Sequence, residues 1–194
     1  MKSTLVALVE NKPGVLNRVV SLFRRRNFNL DSLTVGRTHR SEISRITLVM
    51  EAEDASMTKK IMANLYKLVD VIEVQNLTDV PNVTRDMALV KIQTQSANSR
   101  NNLTEITYEH GARIVDIGPD VTIVEITGEP KRVETVIEAL VPFGILEVVR
   151  SGVVSMGRGV RTMNAVNYES KRATHAFSLD LPNGRKKEVG TDQV

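Results

Sequence analysis

The sequence predicts an α+β chain in which one β-α-β-β-α-β unit occurs twice and is followed by a polar tail. Three observations predict it. Runs with a strand period and runs with a helix period alternate in the same order in both halves, offset by roughly eighty residues. A breaker cluster, Asp79-Val80-Pro81-Asn82, separates the halves. After Gly157-Arg158-Gly159 the periodicity vanishes. The expected divisions are residues 1–78, 79–163 and a polar, mobile tail over 164–194.

The elements follow in order. Ser3–Val9 is a nearly continuous apolar run, as expected of a strand buried on both faces. Val15, Leu16, Val19, Val20, Leu22 and Phe23 recur at helical spacing and predict a helix over Gly14–Arg26. Arg24-Arg25-Arg26 stands in its last turn, where cations complement the helix dipole. Asn29–Arg37 reads as a strand, Thr38–Glu42 as a turn, and Ser44–Glu51 as a strand with Ile46, Leu48 and Met50 on one face. Asp54 is the expected cap of a helix carrying Met57, Ile61, Leu65 and Leu68. Val69–Leu77 is the unit's last strand.

In the second unit Met87–Thr94 is a strand. Asn102 is the expected cap of a short helix with Leu103, Ile106, Thr107 and His110 on one side, closed by Gly111. Ala112–Ile117 and Thr122–Thr127 are strands. Pro130 sits early in the next helix, where its missing N–H costs nothing; Val133, Val136, Ile137 and Leu140 form its buried stripe. Pro142 and Gly144 end it, and Ile145–Ser155 is the final strand. Two such units in tandem make a ferredoxin-like architecture.

Composition narrows the function. Aromatics are only 4% with no Trp, so Val, Ile, Leu and Met carry the packing. There is no cysteine, which excludes disulfides and thiolate metal sites and agrees with a cytoplasmic setting. No signal peptide, transit peptide or membrane-spanning stretch is expected. The pI of about 9.3 suggests nucleic acid, but residues 1–157 hold 19 Lys and Arg against 19 Asp and Glu. The net charge of +3 therefore comes from the tail, and neither nucleic acid nor membrane is an expected partner.

Catalytic chemistry is missing from the pattern. His39, His110 and His175 are isolated, with no ligand-spaced partner. No nucleophile elbow, Walker loop or dinucleotide fingerprint occurs. The chain therefore reads as a sensor, without a catalytic site or metal of its own.

The richest stretch is Asn11-Lys12-Pro13-Gly14 and the helix it opens. N–H groups of Gly14, Val15 and Leu16 should lack intrahelical partners, Pro13 stiffens the approach, and Gly14 lets a ligand come close. A carboxylate there gains hydrogen bonds and ~0.3–2 kcal/mol from the dipole. Asn11 can meet an ammonium group through Oδ1, and Leu16, Leu30, Leu33 and Val35 supply aliphatic surroundings. A branched apolar amino acid satisfies all of these. The plainer alternative is that Asn11 only caps the helix and Pro-Gly only turns the chain.

Several segments carry a resemblance beyond spacing: Leu5–Leu16, Asn27–Val35, Ser44-Arg45-Ile46-Thr47, Lys67–Val74, Ala88–Ile92 and Val149–Val154. Across about residues 3–163 the chain resembles the small, regulatory subunit of acetohydroxyacid (acetolactate) synthase. That resemblance implies an N-terminal ACT domain over 1–78, for effector binding and dimerisation, and an ACT-like domain over 79–163 that contacts the catalytic subunit. It implies a large-subunit partner carrying thiamine diphosphate, FAD and magnesium, with no cofactor on this chain. It further implies activation of that partner, feedback inhibition by valine or a related branched-chain amino acid, and a homodimer formed through ACT domains. The effector site it implies comprises Asn11, Lys12, Pro13, Gly14, Val15 and Leu16, with Asn29 and Leu30 from a second chain. Two other classes remain open: a free-standing amino-acid sensor acting on another enzyme, and an RNA-binding sheet, which the lack of strand aromatics disfavours.

Overall fold

Strand β1 (Lys2–Glu10) runs into helix α1 (Val15–Arg25), strands β2 (Ser32–Arg37) and β3 (Ile43–Glu51), helix α2 (Ala55–Leu65) and strand β4 (Val71–Asn76). The second half comprises β5 (Asn82–Gln93), α3 (Ala97–Glu109), β6 (Arg113–Ile117), β7 (Val121–Gly128), α4 (Pro130–Leu140), β8 (Ile145–Arg150) and β9 (Val154–Gly157). This computed structural model describes residues 1–164. The expected tail beyond Asn164, with His175, lies outside the described residues.

Each half is an antiparallel sheet with two helices on one face, so the predicted fold class holds. The first sheet has the order β2-β3-β1-β4, the second β6-β7-β5-β8. Alternate positions of a strand face opposite sides. In the first sheet Leu5, Ala7 and Val9 join Ile46, Leu48 and Met50 beneath Val15, Val19, Phe23, Ile61 and Leu65. In the second, Ala88, Val90, Ile92, Val124 and Ile126 pack under Leu103, Val133, Val136 and Leu140.

Helix α2 ends at Leu65, short of the expected Leu68, and β4 starts at Val71 rather than Val69. Four further boundaries differ from expectation, each for a physical reason. The second strand begins at Ser32 rather than Asn29, because α1 closes through Asn27 at φ 56° and the chain joins the ladder only after Asp31 N–H reaches Val49 O. Helix α3 is capped by Ser96, not Asn102; Ser96 Oγ accepts from Ser99 N at 3.1 Å. Its first turns are polar and exposed, so apolar periodicity starts only at Leu103. Strand β5 starts five residues before Met87, because Asn82–Arg85 pair with β9. The single strand expected over 145–155 is two strands, split at Gly152, whose φ is 80°.

That split lets residues 151–163 lie across the far face of the first sheet. Val153 N–H donates to Ser32 Oγ at 2.9 Å. Arg45 donates to Ser155 O at 2.6 Å and to Met163 Sδ at 3.4 Å. Gln75 reaches Thr162 O. A Cβ on Gly152 would stand 2.7 Å from Thr34 Oγ1 and 2.9 Å from Ser32 Oγ, so the crossing needs glycine for space as well as for φ. Residues 1–163 consequently form one compact unit.

Candidate functional site

The loop after β1 is held by the β2–β3 turn. Asn11 N–H donates to Glu42 O at 2.7 Å, and Asn11 Nδ2 to Ser41 O at 2.8 Å. Asn11 therefore does not cap α1. The N-cap is Gly14, at φ 83° and ψ −10°, with no side-chain cap bond. Lys12 pairs with Glu10 at 2.5 Å. Pro13 and Gly14 are exposed, and a Cβ on Gly14 would meet open space.

The first turn of α1 differs in one detail from the predicted set of free donors. Val15 N–H is taken by Lys12 O at 3.3 Å, and the Val15 side chain is buried. Among the described residues no hydrogen bond takes the N–H of Gly14, Leu16 or Asn17. These donors, the dipole's positive end and the lack of a carboxylate in the first turn make an electropositive, open backbone site. Asn11 Oδ1 accepts no bond from the described residues and stays available at its rim.

Two of the four expected aliphatic neighbours belong elsewhere. Leu30 and Leu33 are partly buried against the first core. Leu16 and Val35, each 42% exposed, remain at the surface with Val20. Val35 lies on β2, the sheet's edge strand, and Leu16 and Val20 lie on α1.

Asn29 and Leu30 are not beside the loop within one chain. They follow the C-terminal end of α1, whose eleven residues separate them from Gly14 by about 16 Å of helix rise. The loop adjoins the far end of β2 through Ser41 and Glu42, whereas Asn29 and Leu30 adjoin its start. A two-fold axis pairing β2 with a second β2 antiparallel would exchange those ends and set Asn29 and Leu30 of one copy beside the loop of the other.

Reasoning from the sequence missed Ser41 and Glu42, because a backbone carbonyl leaves no mark in the residue pattern. It also missed Arg45. Burial pulls the Arg45 guanidinium's pKa below its usual value, with Glu73 acting in the opposite sense. His39 is exposed, and His110 is the C-cap of α3. Among the described residues no group of three or more His, Cys, Asp or Glu could hold a metal. No described helix is long and apolar enough to cross a membrane.

Comparison with known proteins adds the decisive observation. Residues 5–73 match the family described as the AHAS small subunit-like ACT domain, and residues 85–159 match the small subunit of acetolactate synthase. The acetolactate synthase small subunit of Mycobacterium bovis is 43% identical over 158 residues, covering 81% of this chain and 93% of that protein. The chain belongs to the acetolactate synthase small-subunit family. The small subunit of Mycolicibacterium smegmatis is 41% identical over 162 residues, covering 84% of this chain and 94% of its own. The crystal structure of the Thermotoga maritima small subunit aligns with a TM-score of 0.77 at 32% identity, covering 83% of this chain and 99% of that one. The first sheet and its helices are thus the ACT domain of a regulatory subunit, and the second belongs to the same small-subunit family. That membership implies association with the catalytic subunit of acetolactate synthase.

Proposed function

We propose that this chain activates the catalytic subunit of acetolactate synthase and confers feedback inhibition by valine or a related branched-chain amino acid. Thiamine diphosphate, FAD and magnesium belong to that partner. The effector site is shared by two copies. Gly14, Val15 and Leu16 with Asn11, Lys12 and Pro13 form one half, and Asn29 and Leu30 of a second chain form the other.

The observation that carries the reading is the open helix start at Gly14, with free N–H groups, no side-chain cap and an exposed apolar rim of Leu16 and Val35 beside an unpaired strand edge. A zwitterion suits it: its carboxylate takes the N–H groups and its ammonium meets Asn11 Oδ1. Holding two copies together, it biases their relative placement, with a coupling of ~1–3 kcal/mol typical of allosteric effectors. The 79–163 half makes the main contact with the catalytic subunit.

The test is reconstitution with the catalytic subunit and titration of each branched-chain amino acid. Gly14→Asp places a carboxylate at the anion site. It should abolish inhibition while activation persists, and Gly14→Ala, equally strained in backbone but uncharged, should retain part of it. Inhibition of the Gly14→Asp holoenzyme equal to wild type contradicts the site.

A further inference from the structure

We infer that the groove between the C-terminal ends of α1 and α2 binds a phosphate-bearing anion of about diphosphate size. It is lined by Leu22, Arg25, Arg26, Asn64, Lys67 and Leu68, and encloses about 300 Å³. That volume stands at the lower end of small-molecule pockets, larger than a lone phosphate needs.

Charge is the first reason. Residues 1–78 hold twelve Lys and Arg against eight Asp and Glu, whereas residues 79–157 hold seven against eleven. Helices α1 and α2 contain no carboxylate at all. Five cations elsewhere are matched by carboxylates: Lys12 with Glu10, Arg18 with Asp70, Lys91 with Glu147, Arg113 with Glu125, and Arg150 with Asp86 and Glu134, while others among the described residues, such as Arg37 and Arg40, stand singly. Arg24, Arg25, Arg26, Lys59, Lys60 and Lys67 form no ion pair among the described residues, although Lys60 acts on the Asp54 carboxylate at longer range. The dipole of α1 accounts for Arg24 and Arg25 in its last turn. It does not account for Lys59 and Lys60, which precede the last turn of α2, nor for Lys67 beyond its end.

Preorganisation is the second reason. Helix α1 closes through Phe28 N–H to Phe23 O at 3.0 Å and Asn27 N–H to Arg24 O at 3.2 Å, with Asn27 left-handed. Phe23 and Phe28 meet edge to face at 6.3 Å. Arg26 N–H is bound to both Leu22 O and Phe23 O. Across the groove, Lys67 N–H donates to Asn64 O, and Lys67 Nζ to Asn64 Oδ1 at 3.3 Å. Leu22 O, Phe23 O, Arg24 O and Asn64 O, which would otherwise face an anion with free lone pairs, each accept a backbone N–H, and the cations stand on a backbone ordered in advance. Leu22 and Leu68, packed into the first core, form the apolar floor of the groove.

The test is calorimetric titration of the full 194-residue chain with inorganic pyrophosphate and, separately, with ADP at low salt. Saturable binding should weaken about tenfold for each cation removed by Arg25→Ala, Arg26→Ala or Lys67→Ala. It should weaken with added salt and be unchanged by Arg40→Ala, an exposed cation elsewhere. ADP binding tighter than pyrophosphate assigns the site to nucleotides, and equal binding assigns it to the phosphates alone; both outcomes uphold it. Absence of saturable binding by either probe, or an equal loss on Arg40→Ala, overturns it.

Discussion

The two sheets share a topology and differ in what lies on their helix-free faces. On the first, Val6, Leu8, Thr47 and Val49 are all buried, because the chain's own residues 151–163 cross them. On the second, Met87 is 37% and Val149 53% exposed, and Leu89, Lys91 and Ile123 are only partly covered. Two ion pairs, Lys91–Glu147 at 3.2 Å and Arg113–Glu125 at 3.1 Å, lie among them. The same architecture therefore gives one sheet closed within the chain and one left open. The closed sheet carries the candidate effector loop, and the open one leaves apolar side chains uncovered among the described residues.

The sharpest way to break this contrast is at the crossing. Gly152→Val must adopt φ near 80° and collide with Ser32 and Thr34. A loss of about 3 kcal/mol in urea unfolding is expected, accompanied by exposure of the first sheet's far face in hydrogen exchange. Matched truncations come next. Leu8→Ala, on the covered face, should cost about 2–3 kcal/mol, while Leu89→Ala, on the open face, should cost less than about 1 kcal/mol. Equal losses would erase the distinction.

Asp86 sharpens it further, since β5 passes there from the β9 ribbon into the second sheet. Its carboxylate, 1% exposed, holds Arg150, which is 36% exposed and also pairs with Glu134 at 2.7 Å. Both carboxylates raise the Arg150 pKa against the burial that lowers it. Asp86→Ala should destabilise by about 2 kcal/mol, below the usual cost of a fully buried pair because the guanidinium still reaches water. The smallest effect is at the cap of α2. Asp54 is held below the ordinary carboxylate range, first by Met57 N–H and then by the Ser56 hydroxyl. Its contribution is present above the unfolded-state pKa and disappears as pH falls through the folded one. Asp54→Asn, which keeps the cap acceptor without the charge, should therefore flatten the acid limb of the urea midpoint against pH slightly.

Much of this was readable in residues. The unbroken apolar run Leu5–Val9 announced a strand buried on both faces, and Met87–Thr94 was legible as a strand, although not as one covered on a single face. Asp54 as a cap was legible because Met57, Ile61 and Leu65 follow at helical spacing. Ser96 was not, because six polar or small residues intervene before Leu103. The break at Gly152 was hidden, since glycine's φ is set by a contact more than a hundred residues away, with Ser32 and Thr34. In the candidate site Pro13 and Gly14 declared themselves. The binding of Asn11 to Ser41 and Glu42 did not, because its partners are main-chain oxygens.

The central claim, that two chains together make the effector site, is tested most directly by subunit complementation. One chain carries Gly14→Asp and the other Asn29→Trp, whose bulk fills the opposite half. Neither alone should bind valine in calorimetry. Co-assembled in equal amounts, they should recover about one quarter of the wild-type sites, because half the dimers are mixed and each mixed dimer keeps one intact site. No recovery on mixing would contradict the account and place the site within a single chain.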